Sequence, residues 1–511
     1  MNKQKSVFWL HFIVVVFLAI GVSRLTFVNL VMGEYYSKQA RGNTIRSEKI
    51  KQVRGVIYDR NGKQLAVNIE HDGKDIRFYP FGEVTASVLG YVGKIDEQTL
   101  KKCSPVCDGE TEIGRMGLEK QYDEKLGGIS GEMLVEERAS GETRSWAVKS
   151  EGKVSENIKS NLDVDLQKIA FIALKEKLKE TGRSGAIIVS RVNGEVLAMV
   201  SAPSFDNNLF IDGGKRSDFG GDYKNVTDII ADTEKKPLFN RAISGDFAPG
   251  SVYKIIPSIA ALEEGKITEK TTILDTGEIK IGEYRFGNWY LDKYGRTEGE
   301  VDVIKGLSRS NDIFYYRIGE MLGVDSLVKW SKVFGLGEKT GVDLPSEVRG
   351  LLPDPYWREK ILGERWFLGN TFHLSIGQGD LMATPLQINT MTASVVSAKK
   401  CIPKIVGKSD CLAVNIKDEN RKIIIKGMEK ACSPDGTAFP LFKYAGKVYC
   451  KTGTAQKGGE ETLPNSWISV VVPKGSSVDD WIVMTILVEE GGEGSAVAGA
   501  VAAEIVGELL R

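Results

Sequence analysis

Histidine is nearly absent: the 511 residues include only His11, His71 and His373, far apart along the chain. No H-E-x-x-H pair can form, which removes the helical zinc-hydrolase arrangement. A Ser-His-Asp triad would have to recruit His373, whose largely apolar surroundings in Thr371-Phe372-His373-Leu374 read as a core or loop position. If a serine is activated here, lysine is the base to look for. The six cysteines, Cys103, Cys107, Cys401, Cys411, Cys432 and Cys450, form no C-x-x-C pair and have no histidine nearby, so zinc is not expected. The close pairs Cys103/Cys107 and Cys401/Cys411 suit disulfides in an oxidising compartment, with free buried thiols as the alternative. Net charge is missing too. Lys plus Arg and Asp plus Glu number 68 each, which leaves no field to attract nucleic acid. Neither an internal repeat nor a low-complexity tract is found. What remains is an ordered globular composition, 42% apolar and 27% charged, long enough for two or three domains.

Val7 to Val22 form an apolar run broken only by His11, with Lys3 and Lys5 before it and Arg24 after. At about 1.5 Å per residue the run lies near the lower limit for crossing a membrane, and Leu25 to Met32 extend it if Arg24 snorkels. It reads as a retained single anchor. A cleaved signal peptide competes, because Ala19-Ile20-Gly21 resembles a small-x-small site. The N-terminal lysines place the bulk of the chain outside the cytoplasm.

From about Tyr35 to Val154 short β-like stretches alternate with turn signals, as in Gly55 to Asp59, Asn61-Gly62 and Leu65-Ala66-Val67, which suggests a separate, smaller unit. Gly114 to Leu126 reads as a helix with a charged face, and Gly127 to Ser160 as exposed hairpins or a linker. Beyond Leu162 helices and strands mix. Asp165 to Thr181 is an amphipathic helix, and Gly185 to Val189, Asn193-Gly194 and Val196 to Val200 form a hairpin, hence an antiparallel sheet. Trp467 to Val472 and Trp481 to Glu489 add strands. Ser495 to Leu510 is a core-packing helix rather than a second span, because Glu504 and Glu508 interrupt it.

Three segments carry candidate chemistry. Ser251-Val252-Tyr253-Lys254 follows the turn pair Pro249-Gly250 and opens a helix over Val252 to Leu262. Three residues is about one turn, so the Lys254 amine and the Ser251 hydroxyl share a face, as a nucleophile and its base require. A lysine near pKa 10.4 is charged at pH 7, and neutralising it costs on the order of 4–5 kcal/mol without help. Burial and a second cation reduce that cost, and Lys451 is the natural second cation. Lys451-Thr452-Gly453-Thr454 reads as a strand whose glycine marks the close approach of another backbone or a ligand. A peptide substrate can lie antiparallel to it, with Lys451 and Thr452 available to a carboxylate. The N–H groups of Ser251 and Thr454 suit an oxyanion hole. Ser310-Asn311-Asp312 precedes an aromatic helix, with Ser310 or Asp312 as its N-cap. Ser310 can relay a proton between the leaving amine and a lysine, and Asp312 can accept from Lys254 or from substrate. Each segment alone has a bland reading: cap and solvated lysine, edge strand, plain N-cap. About two S-x-x-K matches are expected by chance in a chain of this length, so the ordered co-occurrence is what counts.

In this order the motifs resemble the penicillin-binding protein and serine β-lactamase superfamily. The flanks narrow the resemblance to class B penicillin-binding proteins: Arg54 to Gly62, Gly117 to Asp123, Pro203 to Asp206, Asn240-Arg241-Ala242, Gly377-Gln378-Gly379 and Ala383 to Gln387 look like stretches of that class, so nearly the whole chain is covered. Asp312, where most relatives have asparagine, and Asp206 to Phe210 with Asp212-Gly213 look most similar to the elongation-type, penicillin-binding protein 2 branch. The resemblance implies an α+β fold: residues 1–6 a cytoplasmic tail, 7–31 a transmembrane anchor, 32–160 a β-rich pedestal, and 161–511 a transpeptidase-like domain with a helix-flanked antiparallel sheet and an all-helical part. It implies a single-pass protein of the cytoplasmic membrane, catalytic domain outside, that cross-links peptidoglycan stem peptides ending in D-Ala-D-Ala, with carboxypeptidase activity as a side reaction. Ser251, Lys254, Ser310 and Lys451 take the catalytic roles, and Asp312, Thr452, Gly453 and Thr454 bind substrate. β-Lactams acylate the same serine. A SEDS-type polymerase and other membrane proteins of wall assembly are the implied partners. No cofactor is implied, and no metal is expected, because the stretch from Asn288 to Gly295, where some relatives hold one, lacks histidine and cysteine. The alternatives are a division-type transpeptidase, a β-lactamase, and a non-catalytic β-lactam sensor or scaffold.

Overall fold

The computed structural model describes residues 3–50, 52–103, 107–109, 111–137, 143–181, 183–456 and 462–511. Two compact units divide the chain, and they do not follow its order. The first takes Met1–Val53, Asp96–Gly109 and Gly127–Ser155. Its N-terminal helix Lys3–Thr26 continues without a break through a π-turn at Phe27–Val31. The apolar stretch Gln4–Val31 is therefore 28 residues long, with a mean hydropathy of 2.3 over its most apolar 18 residues and none of those buried. At 1.5 Å per residue this is about 42 Å, more than the hydrocarbon core requires. The extension past Arg24 is what makes the helix long enough. The same unit holds an antiparallel sheet of Ile45–Ile50, Gly131–Glu137 and Thr143–Ser150, with Gly131–Glu137 central.

The second unit takes Arg54–Ile95, Glu110–Leu126 and Glu156–Arg511. Much of the stretch expected to stand apart therefore packs with the large domain, and the reason is a shared core. Ile57, Leu65, Tyr79, Leu89 and Leu118 are buried in one cluster with Ile188, Val196, Met199 and Leu386. The helix expected over Gly114 to Leu126 is two short helices, Gly117–Gln121 and Asp123–Gly127. Lys120, Glu124 and Lys125 are exposed, but one carboxylate turns inward. Glu119 is fully buried and accepts from Arg54 Nε at 2.6 Å and Arg77 Nε at 2.8 Å, while Asp123 accepts from the Gly114 N–H at 2.7 Å. Two guanidiniums from elsewhere in the chain thus draw Glu119 out of the charged face that the sequence suggested for a single helix.

The centre of this unit is a five-stranded antiparallel sheet of β1 (Gly185–Arg191), β2 (Val196–Ala202), β3 (Tyr449–Ala455), β4 (Asn465–Val472) and β5 (Ile482–Val488), in the order β2-β1-β5-β4-β3. Period-two alternation sends successive side chains to opposite faces. Ile468, Val470, Met484 and Ile486 meet α1 (Val164–Thr181) and the C-terminal helix Ala498–Leu509 through Phe171, Leu174, Val501 and Ile505. Trp467, Val471, Val483 and Leu487 face the helical part. That part includes α2 (Ile255–Glu263), α3 (Val303–Arg309), α4 (Asp312–Val333) and α5 (Asp418–Ala431), joined by Met391 and Val395 of the helix Pro385–Ser397. The α+β architecture expected from the sequence is present. β3 lies at an edge of the sheet, so one side of it has no partner strand.

Cys401 is joined to Cys411 and Cys432 to Cys450. The first pair matches the spacing argument, and the second was not singled out by it. The Cys103/Cys107 pairing involves the Cys103 side chain, which lies outside the described residues.

Truncating Glu119 to alanine leaves two buried guanidiniums without their carboxylate and should cost about 3–5 kcal/mol of stability. Thermal melting of Glu119→Ala against the unaltered chain tests this; a loss below about 1 kcal/mol would mean that water already solvates Arg54 and Arg77.

Candidate active site

Gly250–Lys254 is a 3₁₀ turn that passes directly into α2. The expected helix is there, but its first turn is tighter than α. With three residues per turn, positions i and i+3 eclipse, so Ser251 and Lys254 stand one above the other. Ser251 lines a cleft of about 1200 Å³, whereas Lys254 lies fully buried behind it. Edge strand β3 runs alongside, and its Lys451 is also fully buried. The approach is close enough to dictate two glycines. A Cβ on Gly453 would stand 2.9 Å from the Pro249 carbonyl oxygen and 3.1 Å from the Val252 side chain; one on Gly250 (φ +55°) would stand 2.8 Å from the Thr454 oxygen.

Ser310 joins the two amines. Lys451 Nζ donates to Ser310 Oγ at 2.9 Å and to its neighbour's Thr452 carbonyl at 2.9 Å. Lys254 Nζ donates to the Ser310 carbonyl at 2.8 Å, to Ser310 Oγ at 3.3 Å and to Asp312 Oδ1 at 2.7 Å. The Ser251 hydroxyl makes no hydrogen bond among the described residues. Ser310 sits in the left-handed region (φ +57°, ψ 36°), which costs a non-glycine residue about 1–3 kcal/mol.

Neither Ser310 nor Asp312 is the N-cap expected from the sequence. Ser310 closes the C-terminus of α3, and Asn311 caps α4 by accepting from the Phe314 N–H at 2.9 Å. With the cap supplied by Asn311, the Asp312 carboxylate is free to turn to Lys254. The Asn311 amide donates to buried Asp275 Oδ2 at 2.9 Å, as does that of Asn288, so one carboxylate organises the segment around the middle motif. Asp275, Asn288 and Asn311 were not singled out from sequence; the preference of asparagine for N-caps was the available signal for Asn311.

The electrostatics are asymmetric. Burial lowers the pKa of Lys254, but the Asp312 carboxylate opposes that shift. Burial and then the Lys254 charge push Lys451 well below the ordinary lysine value, with Asp312 opposing from farther away. Sequence alone cast Lys451 as the cation that depresses Lys254. The contacts run the other way: Lys254 has the carboxylate, and Lys451 has two neutral acceptors.

A further residue joins the wall of the cleft. Thr437 Oγ1 lies 2.8 Å from Thr452 Oγ1, on a turn that begins at the Cys432–Cys450 disulfide, one residue before Lys451. The Asp435 carbonyl of the same turn accepts from Arg309 Nη1 at 3.0 Å, beside Ser310. Gln378 Nε2 donates to the Thr454 carbonyl at 3.3 Å, and the Gly377 carbonyl accepts the Gly250 N–H at 2.8 Å. His373, expected in the core or on a loop, lies on the helix Leu368–Ser375 and is exposed at the rim of the cleft, beside the Phe286 ring. No group of three or more His, Cys, Asp or Glu side chains suited to a metal occurs among the described residues.

The family model for the penicillin-binding protein transpeptidase domain matches residues 184–510, and that for the penicillin-binding protein dimerisation domain matches 68–160. The chain belongs to the penicillin-binding proteins. It is 35% identical over 321 residues to the peptidoglycan D,D-transpeptidase MrdA of Acinetobacter baumannii, covering 62% of this chain and 45% of that relative. The matched region thus spans less than half the length of that curated relative. Among solved structures, PBP2 of Pseudomonas aeruginosa in complex with WCK 5153 superposes with a TM-score of 0.77 at 30% identity, over 91% of this chain and 97% of that one. PBP2 of Helicobacter pylori in complex with MreC gives 0.78 at 26% identity, over 91% and 99%. In this penicillin-binding protein, Gly453→Ala would push β3 away from the Ser251 turn. The rate of labelling by a fluorescent penicillin should fall by about tenfold or more, because small misplacements of reacting groups are costly; an unchanged rate would show that the strand and turn can separate freely.

Proposed function

We propose that this protein is a serine-type peptidoglycan D,D-transpeptidase of the elongation type, and a penicillin target. The observation that carries the reading is Ser310 Oγ held between two fully buried amines behind a serine that opens onto the cleft. A buried amine gives up its proton far more readily than one in water, which is what a base beside a hydroxyl nucleophile requires. Ser251 Oγ attacks the carbonyl of the penultimate D-Ala of a stem peptide. Its proton passes to the Lys254/Lys451 pair, and through Ser310 to the departing D-Ala amine. The N–H groups of Ser251 and Thr454 receive the oxyanion. The acyl-enzyme then reacts with the amine of a neighbouring stem, which releases Ser251. Attack by water instead gives carboxypeptidase activity.

The free edge of β3 supports the placement of substrate, since an extended peptide can add to it as a further strand. Thr452 and Thr437 present hydroxyls to a terminal carboxylate, and Gly453 leaves room for the approach. The N-terminal helix acts as a single membrane anchor with the second unit on the extracytoplasmic side. Two disulfides in that unit agree with an oxidising compartment. By likeness to the MreC complex of the Helicobacter pylori relative, the partners are cell-wall assembly proteins, and the family resemblance adds a SEDS-type polymerase.

Labelled penicillin should form a stable adduct that mass spectrometry locates on Ser251, and Ser251→Ala should abolish it. An adduct that survives the substitution removes Ser251 from the mechanism, and rapid hydrolysis of the adduct would favour a β-lactamase. Lys254→Ala should slow acylation by about 10²-fold or more with the melting temperature little changed; near-normal labelling would mean that Lys254 has no part in the proton transfer.

A further inference from the structure

Among the described residues Asp312 is the one carboxylate in contact with the buried amines, and its own surroundings hold it in place. Oδ1 accepts from Lys254 Nζ at 2.7 Å, and Oδ2 accepts from the Trp289 backbone N–H at 3.2 Å. Its backbone N–H donates to Asn288 Oδ1 at 3.2 Å, and Asn288 is itself fixed by Asp275. As the first residue of α4, whose first helical stretch runs to a break at Gly323, Asp312 also lies where the helix dipole favours a negative charge. The three donors of Lys254 are all taken, by Ser310 twice and by Asp312 once.

We propose that Asp312 is a positioning residue that keeps the proton of the amine pair on Lys254 in the resting site, and thereby sets the pH range over which Ser251 is acylated. This deepens the acyl-transfer reading and rests on it. Lys451, which reaches Ser310 Oγ from β3, touches no carboxylate among the described residues and is the amine that stands neutral at rest. The groups facing Lys254 from each packed element are few. From α4 come Asp312 and the Tyr315 ring, 5.0 Å from Nζ; from β3 comes Lys451; between α3 and α4 lies Ser310. Glu298, ahead of the strand Gly299–Val301, is the remaining carboxylate nearby, and it is engaged by Arg309 Nε at 2.5 Å and by the Asn311 amide at 3.1 Å.

The sign follows directly. Asp312 favours the protonated form of both amines, Lys254 by contact and Lys451 from farther away, so its removal lets Lys451 become neutral at lower pH. In the full-length protein in detergent, the rate of labelling by a fluorescent penicillin is measured from acid to alkaline pH. For Asp312→Asn the acid limb should move to lower pH by about one unit or more, a change that a purely structural role does not produce. Asp312→Glu, which restores a carboxylate, should return the limb toward its original position. An unmoved limb in Asp312→Asn, or one displaced to higher pH, overturns the proposal. Loss of labelling in both variants at every pH overturns it as well, because Asp312 would then serve the labelling chemistry or the fold itself. If Asp312→Asn alone fails to label, an Asp312→Glu variant with the original limb upholds the proposal, and one with a limb at lower pH overturns it. Failure of the acyl-transfer reading looks different: the unaltered protein would then take up no label on Ser251, and both readings fall together.

Discussion

Two lysine amines are buried against a single serine hydroxyl, with one carboxylate in contact with only one of them. Burying a charge is costly unless it is paired, so two ammonium groups at Lys254 and Lys451 cannot both persist. One of them has to be neutral, and a neutral amine beside a hydroxyl is a base. The chemistry of the site is therefore a consequence of burial before it is a property of any single residue. Asp312 reaches Lys254 and leaves Lys451 with a hydroxyl and a carbonyl, which is the asymmetry on which the proposed sharing of the remaining proton rests.

Keeping those amines buried places demands on the structure around them. The strand carrying Lys451 has to lie so near the Ser251 turn that glycine alone fits at 250 and 453. The disulfide one residue before Lys451 and the turn that follows Cys432 tie that strand to the segment touching Arg309, next to Ser310. On the opposite side, Asp275 gathers the amides of Asn288 and Asn311, and the chain at Ser310 adopts a left-handed conformation that a serine would not choose in isolation. Backbone strain held by a surrounding network is what a preorganised site requires.

Much of the large domain was legible from the chain. The helix Val164–Thr181, the hairpin of β1 and β2, and strands β4 and β5 follow from apolar periodicity because they sit in a core where the pattern of burial is the pattern of the fold. Gly114 to Leu126 defeated the same reasoning. Its charged residues suggested a solvated face, yet Glu119 turns inward to two arginines supplied from elsewhere in the chain, and no local window contains that information. The cap of α4 failed for a different reason. Ser310, Asn311 and Asp312 are all good capping residues, and propensity cannot rank them when the neighbours compete for Ser310 and Asp312.

The sequence by itself determined the three motifs, their order, the apolar N-terminal helix and the α+β class, because each depends on residue type and on spacing along the chain. Only the tertiary structure decided that Lys254, Ser310 and Lys451 meet, that Cys432 joins Cys450, and that Asp312, on the wall of the cleft, pairs with Lys254. These residues are separated by 18 to 197 positions, and what brings them together is the packing of an edge strand against two helix termini. The proposed direction of proton sharing has the same origin, since it rests on burial and on the nearest opposite charge, and neither exists until the chain has folded.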